Sequence, residues 1–102
     1  MNIAVLTPDR EIFQGAITSV KVPGVSGEFQ VLKNHAPIVS ALEEGKVTIE
    51  TGDGGYSYYD AASSVRKEGN TAGNKLVFEI EAGFIEVLNN EISLLVQGVT
   101  QL

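Results

Sequence analysis

The sequence contains one histidine, His35, and 13 acidic residues, which are the residue types that acid–base or metal chemistry would use. Nucleophilic catalysis needs a nucleophile, a base and an orienting group within reach of each other. The serines nearest to the histidine in sequence, Ser26 and Ser40, lack the strand–elbow–helix setting of a catalytic serine. A metal site needs several ligands at a regular spacing, and a lone histidine among scattered glutamates does not supply one. We therefore expect no catalytic residues and no metal site.

Two further patterns look like functional motifs and have simpler interpretations. Glu79 and Glu81 would share one face of a strand, because side chains two residues apart point the same way. This pair, like the adjacent Glu43 and Glu44, favours a solvated face over acid–base chemistry. Residues 52–55 read GDGG, but neither Lys-Ser/Thr nor a helical pattern follows, so they predict a turn and not a phosphate-binding loop. The sequence therefore indicates no cofactor.

The composition limits the class of protein. A chain of 102 residues has the length of one domain, here residues 1–102, with a single modest core. The net charge of −6 argues against a nucleic-acid partner, which a broad basic surface would serve. Cysteine is absent, and no apolar run approaches the roughly 18 residues that a membrane span requires. Any membrane association is therefore expected to be indirect, through a protein partner.

The positions of the apolar residues predict β-structure. Apolar residues recur at every second position in residues 46–50, 76–81 and 91–96, which is the period of a strand. Turn residues recur about every 8–12 residues, a spacing typical of sandwiches and barrels. The sequence thus predicts an all-β fold, a flattened antiparallel β-sandwich of about eight to ten short strands. Near the end of the chain, Asn89 and Asn90 predict a closing hairpin with a two-residue turn.

Residues 51–75 depart from this pattern. The segment is rich in Gly, Ser, Asn and Ala, and its alternation fades after Tyr59. Asp60 could cap a short helical turn over residues 61–68, but a long solvated hairpin tip is the favoured interpretation. We expect the segment to be an insertion in a surface loop, which costs little stability.

Residues 22–42 read VPGVSGEFQVLKNHAPIVSAL and combine two Gly/Pro turns, the only histidine and a lone acid, Glu28. Pro37 restricts the preceding residue to an extended conformation, so the loop around His35 is expected to be stiff. His35 is either a turn histidine that bonds to a backbone carbonyl or a contact residue at the tip of a loop. Glu28 is either a solvated acid or a charge displayed at the end of the sheet. The residues alone leave both choices open.

Together with residues 7–15 (TPDREIFQG) and 81–87 (EAGFIEV), this segment resembles the N-terminal domain of the epsilon subunit of F-type ATP synthase. Chloroplast epsilon and mitochondrial delta belong to the same family. The resemblance implies a non-catalytic rotor subunit in the central stalk of a proton-translocating enzyme. Such a subunit docks the gamma subunit onto the c-ring and supports torque transmission. It has no small-molecule substrate, and ATP synthesis takes place elsewhere in the complex.

The resemblance also implies a c-ring-facing surface formed by Glu28, Lys33, Asn34 and His35. It places the Gly-Glu-Phe turn and the Asn-His-Ala-Pro loop together at one end of the sandwich, facing polar c-ring loops that carry an arginine. Glu28 would then be a complementary charge that gives orientation and register more than affinity.

The gamma-facing surface is not defined by the sequence. Val77 and Leu95 are candidates for it, because both are apolar residues left over on strands that are apolar on two sides. The resemblance further implies a peripheral position on the cytoplasmic face of the bacterial inner membrane, reached only through the c-ring.

The chain departs from the longer members of the family after Val96. Many members continue into a two-helix hairpin that restrains ATP hydrolysis and in some cases binds ATP, whereas residues 97–102 show no amphipathic helical pattern. We therefore expect a short form of the subunit, and we predict neither function of the helical hairpin for this chain.

Two other functions are compatible with the residues. The first is a stand-alone β-sandwich module that binds a peptide or another ligand on an exposed sheet edge. The second is a small enzyme that uses His35 with a carboxylate.

Overall fold

The computed structural model describes residues 1–60 and 63–101, and these residues form ten β-strands and no helix. The strands are β1 (Asn2–Leu6), β2 (Glu11–Gly24), β3 (Gly27–Leu32), β4 (Ile38–Leu42), β5 (Gly45–Asp60), β6 (Val65–Gly69), β7 (Lys75–Ile80), β8 (Ala82–Leu88), β9 (Glu91–Gln97) and β10 (Thr100–Gln101). The prediction of an all-β fold with eight to ten strands is confirmed. Nowhere in the described part of the chain is there a helix with the length and apolar character of a membrane span.

The strands form one continuous sheet that folds over on itself into two layers around a shared core. The first layer has the order β4–β8–β9–β1–β2, and the second has the order β3–β2–β5–β7–β10. β2 belongs to both layers, because residues 11–16 pair with β1 whereas residues 19–24 pair with β3. Among the described strand pairs, only β1 and β9 run parallel. The molecule measures 35 × 28 × 19 Å, so the predicted sandwich is indeed flat.

The core confirms the two-residue period that the sequence shows. On β9, Ile92, Leu94 and Val96 are buried while the residues between them are exposed. β8 repeats the pattern with Ile85 and Val87. Both layers contribute alternate residues to a single buried cluster, and burial of such apolar area is the main favourable term in folding.

Gly15 allows β2 to leave the first layer and enter the second. The register between β2 and β5 shifts on both sides of Ile17, where β2 bends. Gly15 stands opposite Tyr56, and a Cβ atom on Gly15 would lie 2.4 Å from the Tyr56 Cβ atom. Only glycine lets the two backbones approach so closely at the bend.

Residues 51–75 form a β-hairpin and a short connection. β5 continues to Asp60 and pairs along β6, so the suggestion of a helical turn is wrong for residues 65–68. Residues 61–62 lie outside the described part of the chain. The favoured hairpin is present, and the idea that the segment is an insertion stays a prediction.

Thr51 anchors the connection between β6 and β7. Its side chain is fully buried, and its hydroxyl donates to the Thr71 carbonyl oxygen at 2.7 Å. The same hydroxyl accepts from the Asn74 backbone N–H at 2.9 Å. Two backbone hydrogen bonds join Thr51 to Gly73 and Asn74, so one threonine fixes the whole turn to the core.

Candidate protein-docking surface

β3 carries the first of the candidate residues along an exposed edge. Among the described strands it pairs only with β2, in a hairpin whose register places Glu28 opposite Pro23. Phe29 and Val31 face inward, and Val31 is fully buried. The alternate residues Glu28, Gln30 and Leu32 are exposed and line the outward face.

The loop that contains His35 begins where β3 ends. The His35 N–H donates to the Leu32 carbonyl oxygen at 3.1 Å and closes a tight turn. Asn34 sits within this turn at a φ of 64°, in the left-handed region that asparagine tolerates better than most residues. Lys33 and Asn34 are exposed, whereas His35 is half-buried. The loop therefore presents its polar side chains outward on a fixed backbone.

The imidazole of His35 makes a backbone contact of its own. Its Nδ1 lies 2.7 Å from the Ala36 carbonyl oxygen, and since a carbonyl oxygen can only accept, Nδ1 carries the proton. The interpretation of His35 as a turn histidine is thus confirmed. In the neutral ring this bond leaves Nε2 as the acceptor, so a contact role for the same side chain is compatible with it.

Glu28 and His35 lie at opposite ends of β3, and their shared position at one end of the sandwich stays a prediction. Glu28 lies beside the turn that joins β2 to β3, whereas His35 follows Leu32 at the other end of the strand. Four residue steps separate Glu28 from Leu32, which is about 13 Å at the rise of a β-strand. The spacing between the two motif residues therefore contains most of a strand. The candidate residues form a line along β3 and its following loop.

A pair of asparagines joins this loop to the turn between β8 and β9. The Asn34 N–H donates to Oδ1 of Asn90 at 2.7 Å, and Nδ2 of Asn90 donates to Oδ1 of Asn34 at 3.1 Å. Asn89 and Asn90 have φ values of 51° and 62°, which confirms the predicted two-residue turn. The contact spans 56 positions of sequence, so no local pattern could have revealed it.

A second exposed feature is an apolar row on the outer face of the first layer. Phe84 on β8 pairs directly with Leu95 on β9, and the two side chains are 57% and 51% exposed. Leu95 in turn pairs with Leu6 on β1, and Phe84 pairs with Ala41 on β4. We call Leu6, Ala41, Phe84 and Leu95 the apolar row. Exposed apolar side chains that are contiguous across several strands are typical of protein contact sites.

The two sequence candidates for the gamma-facing surface do not lie together. Leu95 belongs to the apolar row, but Val77 lies on β7 in the second layer, opposite Thr48. Val77 is only half-exposed there. The structure therefore separates the two residues onto different layers.

Side chains of the β5–β6 hairpin form two ion pairs and a cation–π contact. Lys67 Nζ lies 2.8 Å from an oxygen of Asp60, and this hydrogen bond raises the pKa of the exposed Lys67. Arg66 pairs with Glu11 at 3.3 Å, and Arg10 lies 4.2 Å from the centre of the Tyr59 ring. The Arg66 and Arg10 contacts hold the hairpin against the start of β2, so these charges have a structural role.

Neither the acids nor the histidine of the described residues gather into a metal site: no three potential ligands converge. An apolar cavity of about 190 Å³ opens between the layers. Its lining includes Phe13, Tyr58 and Phe78 and is almost entirely apolar. It offers no convergent acid–base group, so the line along β3 and the apolar row remain the candidate surfaces, both suited to protein contact.

Known proteins resemble this chain in sequence. The sequence-family model of the β-sandwich domain of the ATP synthase delta/epsilon chain matches residues 1–63. The ATP synthase epsilon chain of Chlorobaculum tepidum is 38% identical over 97% of this chain and 91% of its own length. That of Caulobacter vibrioides is 33% identical over 99% of this chain and 94% of its own length. With the epsilon chain of Salinibacter ruber the identity is 28%, and the chain spans only 59% of that longer relative.

Solved structures share the fold. A chain of the central stalk/c-ring structure of the Tetrahymena thermophila mitochondrial ATP synthase matches 99% of this chain, with a TM-score of 0.69 and 13% identity. The match covers 66% of that chain. A chain of the Euglena gracilis mitochondrial ATP synthase matches 97% of this chain and 51% of its own length, with a TM-score of 0.72 and 18% identity. At such identities the matches show the fold alone, and they agree with the predicted sandwich.

Proposed function

The chain belongs to the family of ATP synthase delta/epsilon chains, and we propose that it is a non-catalytic rotor subunit in the central stalk of such an enzyme. One observation carries the proposal: a relative described as an ATP synthase epsilon chain is 38% identical over 91% of its length. The proposed partners are the gamma subunit and the c-ring. ATP synthesis would take place elsewhere in the complex.

We propose that β3 and its following loop face the c-ring. Glu28 offers a negative charge at one end of the strand, and Lys33, Asn34 and His35 offer polar groups at the other. The arginine that the resemblance implies on the c-ring loops would be the complement of Glu28. Such a rim charge contributes orientation and association rate more than affinity.

The apolar row supports docking of the gamma subunit on the first layer. Phe84 and Leu95 are more than half exposed, although each is of a type that proteins usually bury. A partner that covers them would remove apolar area from water, which favours association. We infer that gamma covers this face and that β3 lies against the ring, so that the sandwich is held between the two.

The mechanism that follows is mechanical. Close-packed interiors deform little, so a sandwich held between ring and shaft transmits torque without chemistry of its own. As a peripheral part of a membrane-associated complex, the chain would reach the membrane only through the c-ring. We place it on the cytoplasmic face of the bacterial inner membrane and take protons as the coupling ion. No nucleic acid or small-molecule substrate is involved.

Copurification tests the proposal. The tagged chain, expressed in its native host, is expected in the membrane fraction together with the gamma subunit and the c-ring, and to be released by washes that strip peripheral proteins. A stand-alone binding module would be recovered in the soluble fraction without these subunits, and that result would overturn the proposal. A chain in which Leu95→Ser removes the centre of the apolar row is expected to be recovered with less of the gamma subunit.

A further inference from the structure

We propose that Asn90 is the positioning residue of the His35 loop, and that its side-chain amide joins this loop to the β8–β9 hairpin. The inference deepens the proposed function and rests on it, because it names the residue that fixes the c-ring-facing loop in place. Asn90 is not itself expected to touch the ring.

The contact is reciprocal and uses both ends of one amide. Oδ1 of Asn90 accepts the Asn34 backbone N–H, and Nδ2 of Asn90 donates to the Asn34 side chain. The first bond holds the backbone of the turn immediately before His35. The second fixes the outward side chain of Asn34. Two bonds between the same pair of residues restrict rotation as well as distance.

Asn90 also joins the loop to a third element. Its backbone carbonyl oxygen accepts the Asn2 N–H at 3.0 Å, at the start of β1. β1, β8 and β9 are adjacent strands of the first layer, and all three contribute to the apolar row. Through Asn90 the c-ring-facing loop is therefore bonded to the layer that we infer contacts gamma. A displacement of the c-ring-facing loop is therefore transmitted to the first layer through these hydrogen bonds.

The turn chemistry lets this role be separated from folding. Asn89 and Asn90 both have positive φ values, and the sequence Asn-Gly is favoured in such two-residue turns. Asn90→Gly therefore keeps the turn while removing the amide. Asn89→Gly makes the same kind of change one residue earlier without touching Asn34. Asn90→Asp keeps an acceptor for the Asn34 N–H and tolerates the same backbone conformation.

The first measurement is amide hydrogen exchange in the full chain without partners. Asn90→Gly is expected to speed exchange of the Asn34 N–H by about fivefold or more, because the loss of a hydrogen bond favours local opening by roughly this factor. Asn89→Gly is expected to leave that rate unchanged, and Asn90→Asp to retain the slow rate. Unchanged exchange in Asn90→Gly would overturn the inference.

The second measurement is binding to a purified assembly of the gamma subunit and the c-ring. Asn90→Gly is expected to weaken binding about fivefold, and Asn89→Gly to bind like the wild type. If His35→Ala weakens binding but Asn90→Gly does not, the positioning role is refuted and the proposed function stands. If the wild type itself does not bind, the proposed function is refuted, and the docking role of Asn90 falls with it. The exchange rates then still decide whether Asn90 fixes the loop.

Discussion

Glu28 and His35 stand at opposite ends of β3, an edge strand whose outward residues Gln30 and Leu32 are exposed. Contact points at the two ends of a strand resist rotation of one surface on another better than a single cluster does. If both residues contact the c-ring as proposed, we expect such a separated pair to set the register of docking. The same arrangement makes the two contacts independent enough to be tested one at a time.

Glu28→Gln is expected to weaken binding to the gamma–c-ring assembly by up to about fivefold, because an exposed ion pair contributes about 0.2–1 kcal/mol. The loss is expected to shrink as salt is raised, since salt screens exposed charges. His35→Ala is expected to weaken binding by a similar factor that depends little on salt. Titration calorimetry at low and high salt measures both effects.

Glu68→Gln, which removes an exposed charge from β6, is the matched control and is expected to bind like the wild type. Thermal unfolding should place all three variants within about 0.5 kcal/mol of the wild type, as is usual for surface substitutions. Unfolding of the isolated chain by either Glu28→Gln or His35→Ala would show that the residue is structural and contradict the docking role.

Leu95→Ser is expected to weaken binding of the isolated gamma subunit about tenfold or more, because an apolar side chain at the centre of an interface often contributes over 1 kcal/mol. Val65→Ser is the control: Val65 is 50% exposed, against 51% for Leu95, but lies on β6 away from the apolar row. Equal loss of binding in both variants, or in neither, would argue against the first layer as the gamma-facing surface. Pull-down with purified gamma gives the comparison.

Local patterns were sufficient to predict several of the strands. Alternation in residues 46–50 and 91–96 placed Val47, Ile49 and the apolar side of β9 in the core, because one face of each strand must leave water. The closing turn at Asn89 and Asn90 could also be predicted, because asparagine tolerates positive φ better than most residues. These features depend on neighbours in sequence.

Placement of the candidate site depended on pairing between distant segments, which a single sequence does not show. The spacing of Glu28 and His35 was compatible with two adjacent turns, but the pairing of β3 with β2 makes the intervening residues a full strand. The Asn34–Asn90 contact forms only because the fold brings the β8–β9 turn beside the loop. The sequence identified Leu95 as an apolar residue on the outward side of its strand. It could not show that Phe84 lies beside Leu95, because that depends on the register between β8 and β9.

Thr51→Val is expected to lower the free energy of unfolding by about 1–3 kcal/mol, because two hydrogen bonds are lost and each usually contributes about 0.5–1.5 kcal/mol. Valine fills the same space but leaves the Thr71 carbonyl and the Asn74 N–H without the hydroxyl. Thr48→Val, on the outward side of the same strand, is expected to cost much less. Urea denaturation measures both, and equal losses would show that the hydroxyl of Thr51 is not what holds the turn.

Gly15→Ala is expected to destabilise the chain by about 1–3 kcal/mol, the range for inserting a methyl group into a packed site. The new Cβ would fall 2.4 Å from the Cβ of Tyr56, and the nearest atoms are backbone or Cβ atoms that no rotamer change can move. Gly52→Ala is the control, because its Cβ would meet its nearest neighbour at 3.3 Å and should cost less. Denaturant unfolding of both variants checks the order of the two losses. If Gly15→Ala is as stable as the wild type, β2 and β5 do not approach each other at Gly15 as closely as the structure shows.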